Sequence, residues 1–138
     1  MMKGDYVLFK GEVAKITRVA KYYDVVDAQQ HKTDNITLHQ PNIIINENVL
    51  LACGFTQDVE NKHIFTYHLA DKDLIIIGDI TFDLSPLNKI CNIAFSIHAD
   101  FMRISKQIIV LSELQDFIRI NTGQELPINV ELLAKAVQ

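Results

Sequence analysis

Residues 4–19 read Gly-Asp-Tyr-Val-Leu-Phe-Lys-Gly-Glu-Val-Ala-Lys-Ile-Thr-Arg-Val. Residues 5–10, Asp-Tyr-Val-Leu-Phe-Lys, read as a strand with apolar side chains on both faces, and Gly11 interrupts the run as a hairpin turn would. Residues 12–20 carry two signals. Val13, Ile16 and Val19 recur at a helical spacing of three, while the β-branched content and the neighbouring strands favour a bulged strand. We read a strand. The chain therefore opens with a β-hairpin, and the rest of the fold is built outward from it.

Tyr22 to Val26 reads as a third strand, residues 27–35 as a polar loop, and Ile36-Thr37-Leu38 as a short return strand. Pro41-Asn42 marks a boundary. Asn46 is placed to cap a short helix, with Val49, Leu50 and Cys53 on its buried side, Gly54 as its stop and Phe55 closing over the end. Four strands are expected next. Residues 63–69, 79–84 and 91–98 alternate apolar and polar side chains, and residues 73–77 are nearly all apolar. Gly78-Asp79 reads as a turn or bulge, and Ile80, Phe82 and Leu84 face inward. A late helix follows, with Ser112 as its N-cap, Leu114, Phe117 and Ile118 as its buried stripe and Gly123 as its stop. Asn129 caps a terminal helix with Val130, Leu133, Ala134 and Val137 on one side.

These elements predict an α+β protein: a small SH3-like β-barrel lobe over residues 1–40, then a helix, an antiparallel meander and packed C-terminal helices over 41–138, the two forming one unit.

Composition limits the functional classes. With 138 residues, 49% hydrophobic and 22% charged, the chain can bury a core without staples and is not a disordered segment. No apolar run approaches the roughly 18 residues of a membrane helix. The opening Met1-Met2-Lys3-Gly4-Asp5 holds no apolar signal-peptide core, so a cytoplasmic protein is expected. The net charge of −4 divides into +2 for residues 1–32, −5 for 33–99 and −1 for 100–138. Only the N-terminal segment leans positive, which disfavours strong phosphate binding by the whole chain.

No motif carries chemistry. The glycines are isolated, so no phosphate loop forms. Cys53 and Cys91 fall on apolar sides and read as packing residues. His31, His39, His63, His68 and His98 lack metal-ligand spacing, and Asp79 and Asp83 read as a solvated face. No catalytic residue, metal or cofactor is expected. The one candidate contact surface is basic and aromatic: Tyr6, Lys10, Lys15, Arg18, Lys21 and Tyr22, suited to single-stranded nucleic acid or a peptide.

Three blocks in order carry a resemblance. They are Gly4-Asp5-Tyr6-Val7, the run from Ile45 to Phe55 ending in Cys-Gly-Phe, and the run from Leu111 to Leu126 with its Leu-Gln helix and Thr-Gly-Gln-Glu-Leu ending. Together they resemble a group of small uncharacterised proteins of gut anaerobic bacteria, their phages and their mobile elements. The resemblance implies a genomic setting and no activity. The expected function is a non-catalytic protein-interaction module, with a protein as partner and a homo-oligomer compatible with it. A nucleic-acid accessory factor using the N-terminal lobe is the alternative. An enzyme whose site converges only in three dimensions is the third.

Overall fold

A computed structural model describes residues 1–38, 43–70, 77–85 and 106–138, with backbone alone for Ala70 and Ile77. The expected strand at 73–77, apart from Ile77, and that at 91–98 lie outside the described residues, with Cys91, His39 and His98.

The opening hairpin forms as read. Strand β1 (Tyr6–Phe9) pairs antiparallel with β2 (Glu12–Val19), in register Tyr6 with Lys15 and Phe9 with Glu12. Lys10 and Gly11 both take positive φ, 52° and 78°, as a tight two-residue hairpin turn requires. A bulge between Ile16 and Arg18 marks the pairing of β2 with β3 (Tyr23–Asp27). It accommodates the mixed spacing that made this stretch ambiguous.

Strand β4 corrects the expected loop at 27–35. It spans Lys32–Ile36 and pairs with β3, so the connection is only Ala28 to His31. The cause is local. Asp27 Oδ1 accepts hydrogen bonds from the amides of Gln29 and His31 at 3.0 and 2.9 Å, which folds the chain back at once. Asp24 Oδ1 then accepts from the Asn35 amide at 2.8 Å. The polar side chains suit an edge strand with exposed faces.

Helix α1 (Glu47–Ala52) starts at Asn46, whose side chain accepts from the Val49 amide at 2.9 Å. At its other end the Phe55 amide donates to the Leu50 carbonyl and the Gly54 amide to the Leu51 carbonyl, 3.0 and 3.2 Å. This paired closure needs Gly54 at its φ of 87°. A Cβ on Gly54 would also sit 3.1 Å from the Pro127 ring.

The second sheet runs β5 (Thr56–Gln57), β6 (Ile64–Ala70) and β7 (Ile77–Asp83), all antiparallel. Strand β5 was not anticipated; two residues leave no periodicity to read. Gly78 is no turn: it sits within β7, paired with Leu69. The alternation holds, with Phe65, Ile80 and Phe82 fully buried and Asp79 exposed.

Helix α2 (Leu111–Thr122) begins two residues earlier than expected. Its N-cap is Val110, without a side-chain cap, and Ser112 is buried inside the first turn. The reason is a strand-like lead-in. Ile44 bridges Val110, and the Leu111 amide donates to the Ile43 carbonyl at 2.9 Å, which satisfies one free helix-end donor. The buried side holds Leu111, Leu114, Gln115 and Ile118, whereas Phe117 is only half-buried with Lys106 Nζ 5.8 Å from its ring centre. The stripe is thus rotated relative to the sequence expectation, because Gln115 points inward. Helix α3 (Val130–Ala136) is capped by Asn129, which accepts from the Leu132 amide, while the Asn129 amide donates to Ala52 at the end of α1.

The architecture is α+β: two antiparallel sheets and three helices among the described residues. The main core joins Val13 of β2 to α1, the second sheet, α2 and Leu133 of α3. A second cluster, Val7, Ala14, Ile16 and Val25, lies on the other side of the first sheet. Burial of this kind sets mutational cost. Leu114→Ala is expected to destabilise the protein by about 2–5 kcal/mol, and Phe117→Ala by only about 1–2 kcal/mol because its ring is partly in water. Urea unfolding of both variants checks this order.

Candidate functional site

The six basic and aromatic candidates lie along the first sheet, and the structure distributes them. Tyr6 and Lys15 are cross-strand partners, with Lys15 Nζ 5.9 Å from the ring centre. Lys21 lies 5.7 Å from the Tyr22 ring at the β2–β3 turn. Lys10 lies 5.4 Å from the Phe9 ring at the β1–β2 turn. These two turns sit at opposite ends of β2, roughly 25 Å apart at strand rise. Arg18 is occupied: its guanidinium grips both Asp24 oxygens at 2.6 and 3.2 Å and also donates to Asn35. That contact holds the Asp24 carboxyl below its ordinary range. The structure brings together Tyr6 with Lys15, and Lys21 with Tyr22, but does not gather all six into one groove.

A more concentrated arrangement lies where β1 meets α2. Asp5 is fully buried at the entry to β1. Its Oδ1 accepts from Arg119 Nη1 at 2.8 Å, and its Oδ2 accepts from the Met2 amide at 2.9 Å. The same Nη1 donates to Asp116 at 3.2 Å. The other edge of the guanidinium binds Glu125 through two bonds, Nε at 2.7 Å and Nη2 at 2.9 Å. The amino group of Met1 stands 3.6 Å from Asp116. One turn back on α2, buried Gln115 accepts from the Tyr6 amide at 2.8 Å and donates to the Gly4 carbonyl at 3.2 Å. Gly4 leaves room for this: a Cβ there would meet Arg119 Nη2 at 3.0 Å, at a φ of 96°.

Loss of water on burial, and then the neighbouring Asp116 carboxyl, push the Asp5 carboxyl up to about 7. Glu125 moves the other way, held below the usual carboxylate range by Arg119. Two acids on one cation are thus driven apart by their surroundings.

Sequence reasoning missed this cluster as a site. Its members are separated by more than a hundred residues, as in the 114 between Asp5 and Arg119. A signal was present. Gln115 and Arg119 stand one turn apart beside the apolar residues of α2, and Asp5 shares the alternation of Val7 and Phe9 on an otherwise apolar side. The members fall in two of the blocks that carry the resemblance, Gly4 to Val7 and Leu111 to Leu126.

Other reactive groups are placed for packing or exposure. Cys53 is buried, which pushes its thiol up to about 12 and leaves it a poor nucleophile. His68 pairs with Asp79 at 2.8 Å on the exposed side of the second sheet. Among the described residues no group of three His, Cys, Asp or Glu is arranged to hold a metal ion. Nor is any described helix long and apolar enough to cross a membrane.

A third feature is an open cleft of about 330 Å³ between α1 and α3. Leu51 and Leu132 line it, 43% and 46% exposed, together with Ala52, Ala136 and the exposed Asn48 and Lys135. A second cleft of about 200 Å³ shares Ala136 and is lined by Ile44, which is 59% exposed.

No protein-family model matches the chain, and no curated protein or solved structure matches it.

Two expectations follow from the β1–α2 cluster and the Cys53 environment. Arg119→Ala strands Asp5 without its cation and is expected to cost about 3–5 kcal/mol near pH 8, measured by urea unfolding. Cys53 is expected to resist a thiol reagent in the native protein and to react only at the rate of global or local opening, which labelling with increasing denaturant reads out.

Proposed function

We propose that this chain is a non-catalytic protein-interaction module of a phage or mobile element, working in the cytoplasm. The observation that carries the role is the apolar pair Leu51 and Leu132 flanking the α1–α3 cleft. Both side chains come from helices whose opposite sides are anchored in the core through Val49, Leu50 and Leu133. They are therefore presented rigidly, at low ordering cost to a partner. Asn48 and Lys135 supply a polar edge, the arrangement of an apolar centre with a wet rim found at protein interfaces. The partner is a protein presenting an apolar segment. The genomic setting rests on the resemblance alone.

The N-terminal lobe is, in this proposal, an SH3-like barrel. Its support is the meander order of β1 to β4, the bulge in β2 and a separate apolar cluster around Val7 and Ile16.

The test is affinity capture from a lysate of the native host, with and without nuclease treatment, using the wild type and the double variant Leu51→Asp, Leu132→Asp. Both positions are exposed, so the variant is expected to unfold within about 1 kcal/mol of the wild type. The proposal expects a protein that the wild type retains and the variant loses. Equal capture by both would contradict the role of the cleft. Capture that disappears on nuclease treatment would instead favour the nucleic-acid reading of the first sheet, centred on Tyr6, Lys15, Lys21 and Tyr22.

A further inference from the structure

Two clefts meet along one side of α3. The larger, about 330 Å³, lies between α1 and α3, and the smaller, about 200 Å³, shares Ala136 with it. Three large, exposed apolar side chains border them: Leu51 and Leu132 on the larger and Ile44 on the smaller. Two small residues, Ala52 and Ala136, line the recess beside the leucines. The same helix carries one charge of each sign. Glu131 is in the first turn of α3 and Lys135 in the last. They stand four residues apart, so they share one side of the helix, and Lys135 lines the cleft. Both are exposed, and among the described residues neither has an ion-pair partner.

We propose that this surface binds a second copy of the same chain across a two-fold axis, with the two α3 helices antiparallel. The proposal rests on the reading of the α1–α3 surface as a protein-binding one, and it names the partner. A two-fold interface presents the same patch from both sides, so the patch must complement itself. This one does so in shape and in charge. It holds both exposed leucines and an open recess lined by alanines. A two-fold axis across α3 reverses the partner helix. Glu131 of each copy then faces Lys135 of the other, and Leu132 faces the end of the helix that holds Ala136. A patch charged with one sign alone would repel its own copy.

The size of the surface sets the strength. A standard interface covers about 800 Å² of each partner, roughly a tenth of the 8577 Å² that this chain exposes. Helices of 6 and 7 residues are only about 9 and 10 Å long at helical rise, so α1 and α3 form a small patch even with Ile44 included. Exposed ion pairs at its rim fix the orientation of the copies and add little to their affinity. The dimer is therefore weak, with a dissociation constant on the order of 10–100 µM.

The test is sedimentation equilibrium of the full chain from about 2 to 500 µM, near pH 7 in about 0.15 M salt. The expected result is a mass that rises with concentration from 15.7 kDa toward twice that value. Leu51→Asp with Leu132→Asp is expected to weaken association at least about tenfold. Glu131→Lys and Lys135→Glu each set like charges opposite one another, and each is expected to weaken it about fivefold. Both reversals in one chain are expected to restore it, because antiparallel copies then again match acid with base. A mass of 15.7 kDa at every concentration would overturn the second copy as partner. Host-protein capture that still depends on Leu51 and Leu132 would, in that case, leave the protein-interaction reading standing; equal capture by both chains would remove that reading too. A dimer that survives the paired Asp substitutions would place the contact elsewhere and overturn the proposal. A double reversal no better than the single ones would overturn the antiparallel arrangement. Should the Asp variant fail to fold, the charge reversals at exposed positions decide alone.

Discussion

The guanidinium of Arg119 links parts of the chain that no local rule connects. It binds Asp5 at the start of β1, Asp116 one turn back on its own helix and Glu125 beyond the helix end. A buried charge is tolerated only where partners and hydrogen bonds replace its water. Asp5 therefore fixes the first strand against α2 more selectively than apolar contact would, since an oily surface could slide by a residue at small cost. Gln115 adds the same constraint in neutral form, reading the backbone of Gly4 and Tyr6. With β1 set, β2 follows through a tight hairpin turn, and the rest of the first sheet follows by register.

Around that seam the core is ordinary in kind. Val13, Leu50, Phe65, Phe82, Leu114 and Leu133 come from different elements and meet in one cluster. The helices reinforce one another through their ends. The Asn129 amide donates to the Ala52 carbonyl, so the start of α3 completes the end of α1. The α1–α3 cleft lies between helices joined in this way, and Leu51 and Leu132 line it. A surface of that kind differs from the first sheet, where Arg18 is spent on Asp24 and Lys10, Lys15 and Lys21 each lie over a different ring.

Much of this was readable from local chemistry. Asn46 and Asn129 each sit where a side-chain oxygen can accept from a helix amide, and both do so. Gly54 ends α1 because its φ suits few other residues. The alternation of Ile80 and Phe82 with Asp79 and Thr81 gave the buried side of β7. Where reading failed, the deciding partner was distant or the pattern short. Strand β4 is polar up to Ile36 and is held by Asp24 and Asp27 from its neighbour. Ser112 looks like a cap, but Ile43 supplies the acceptor that makes a cap unnecessary. Phe117 looked central because it is the largest apolar residue on α2, yet the inward turn of Gln115 places it at the edge. Asp5 read as the mere beginning of a strand, because its partners are on a helix at the other end of the chain.

The central claim is that Asp5 and Arg119 act on one another as a buried pair, rather than each contributing separately to stability. A double-mutant cycle of Asp5→Asn and Arg119→Met, read by urea unfolding near pH 8, tests it most directly. The account predicts strong non-additivity, with a coupling of about 2–3 kcal/mol. Stability losses that add within about 0.5 kcal/mol would contradict it, and would leave the join between the first sheet and α2 to apolar packing alone.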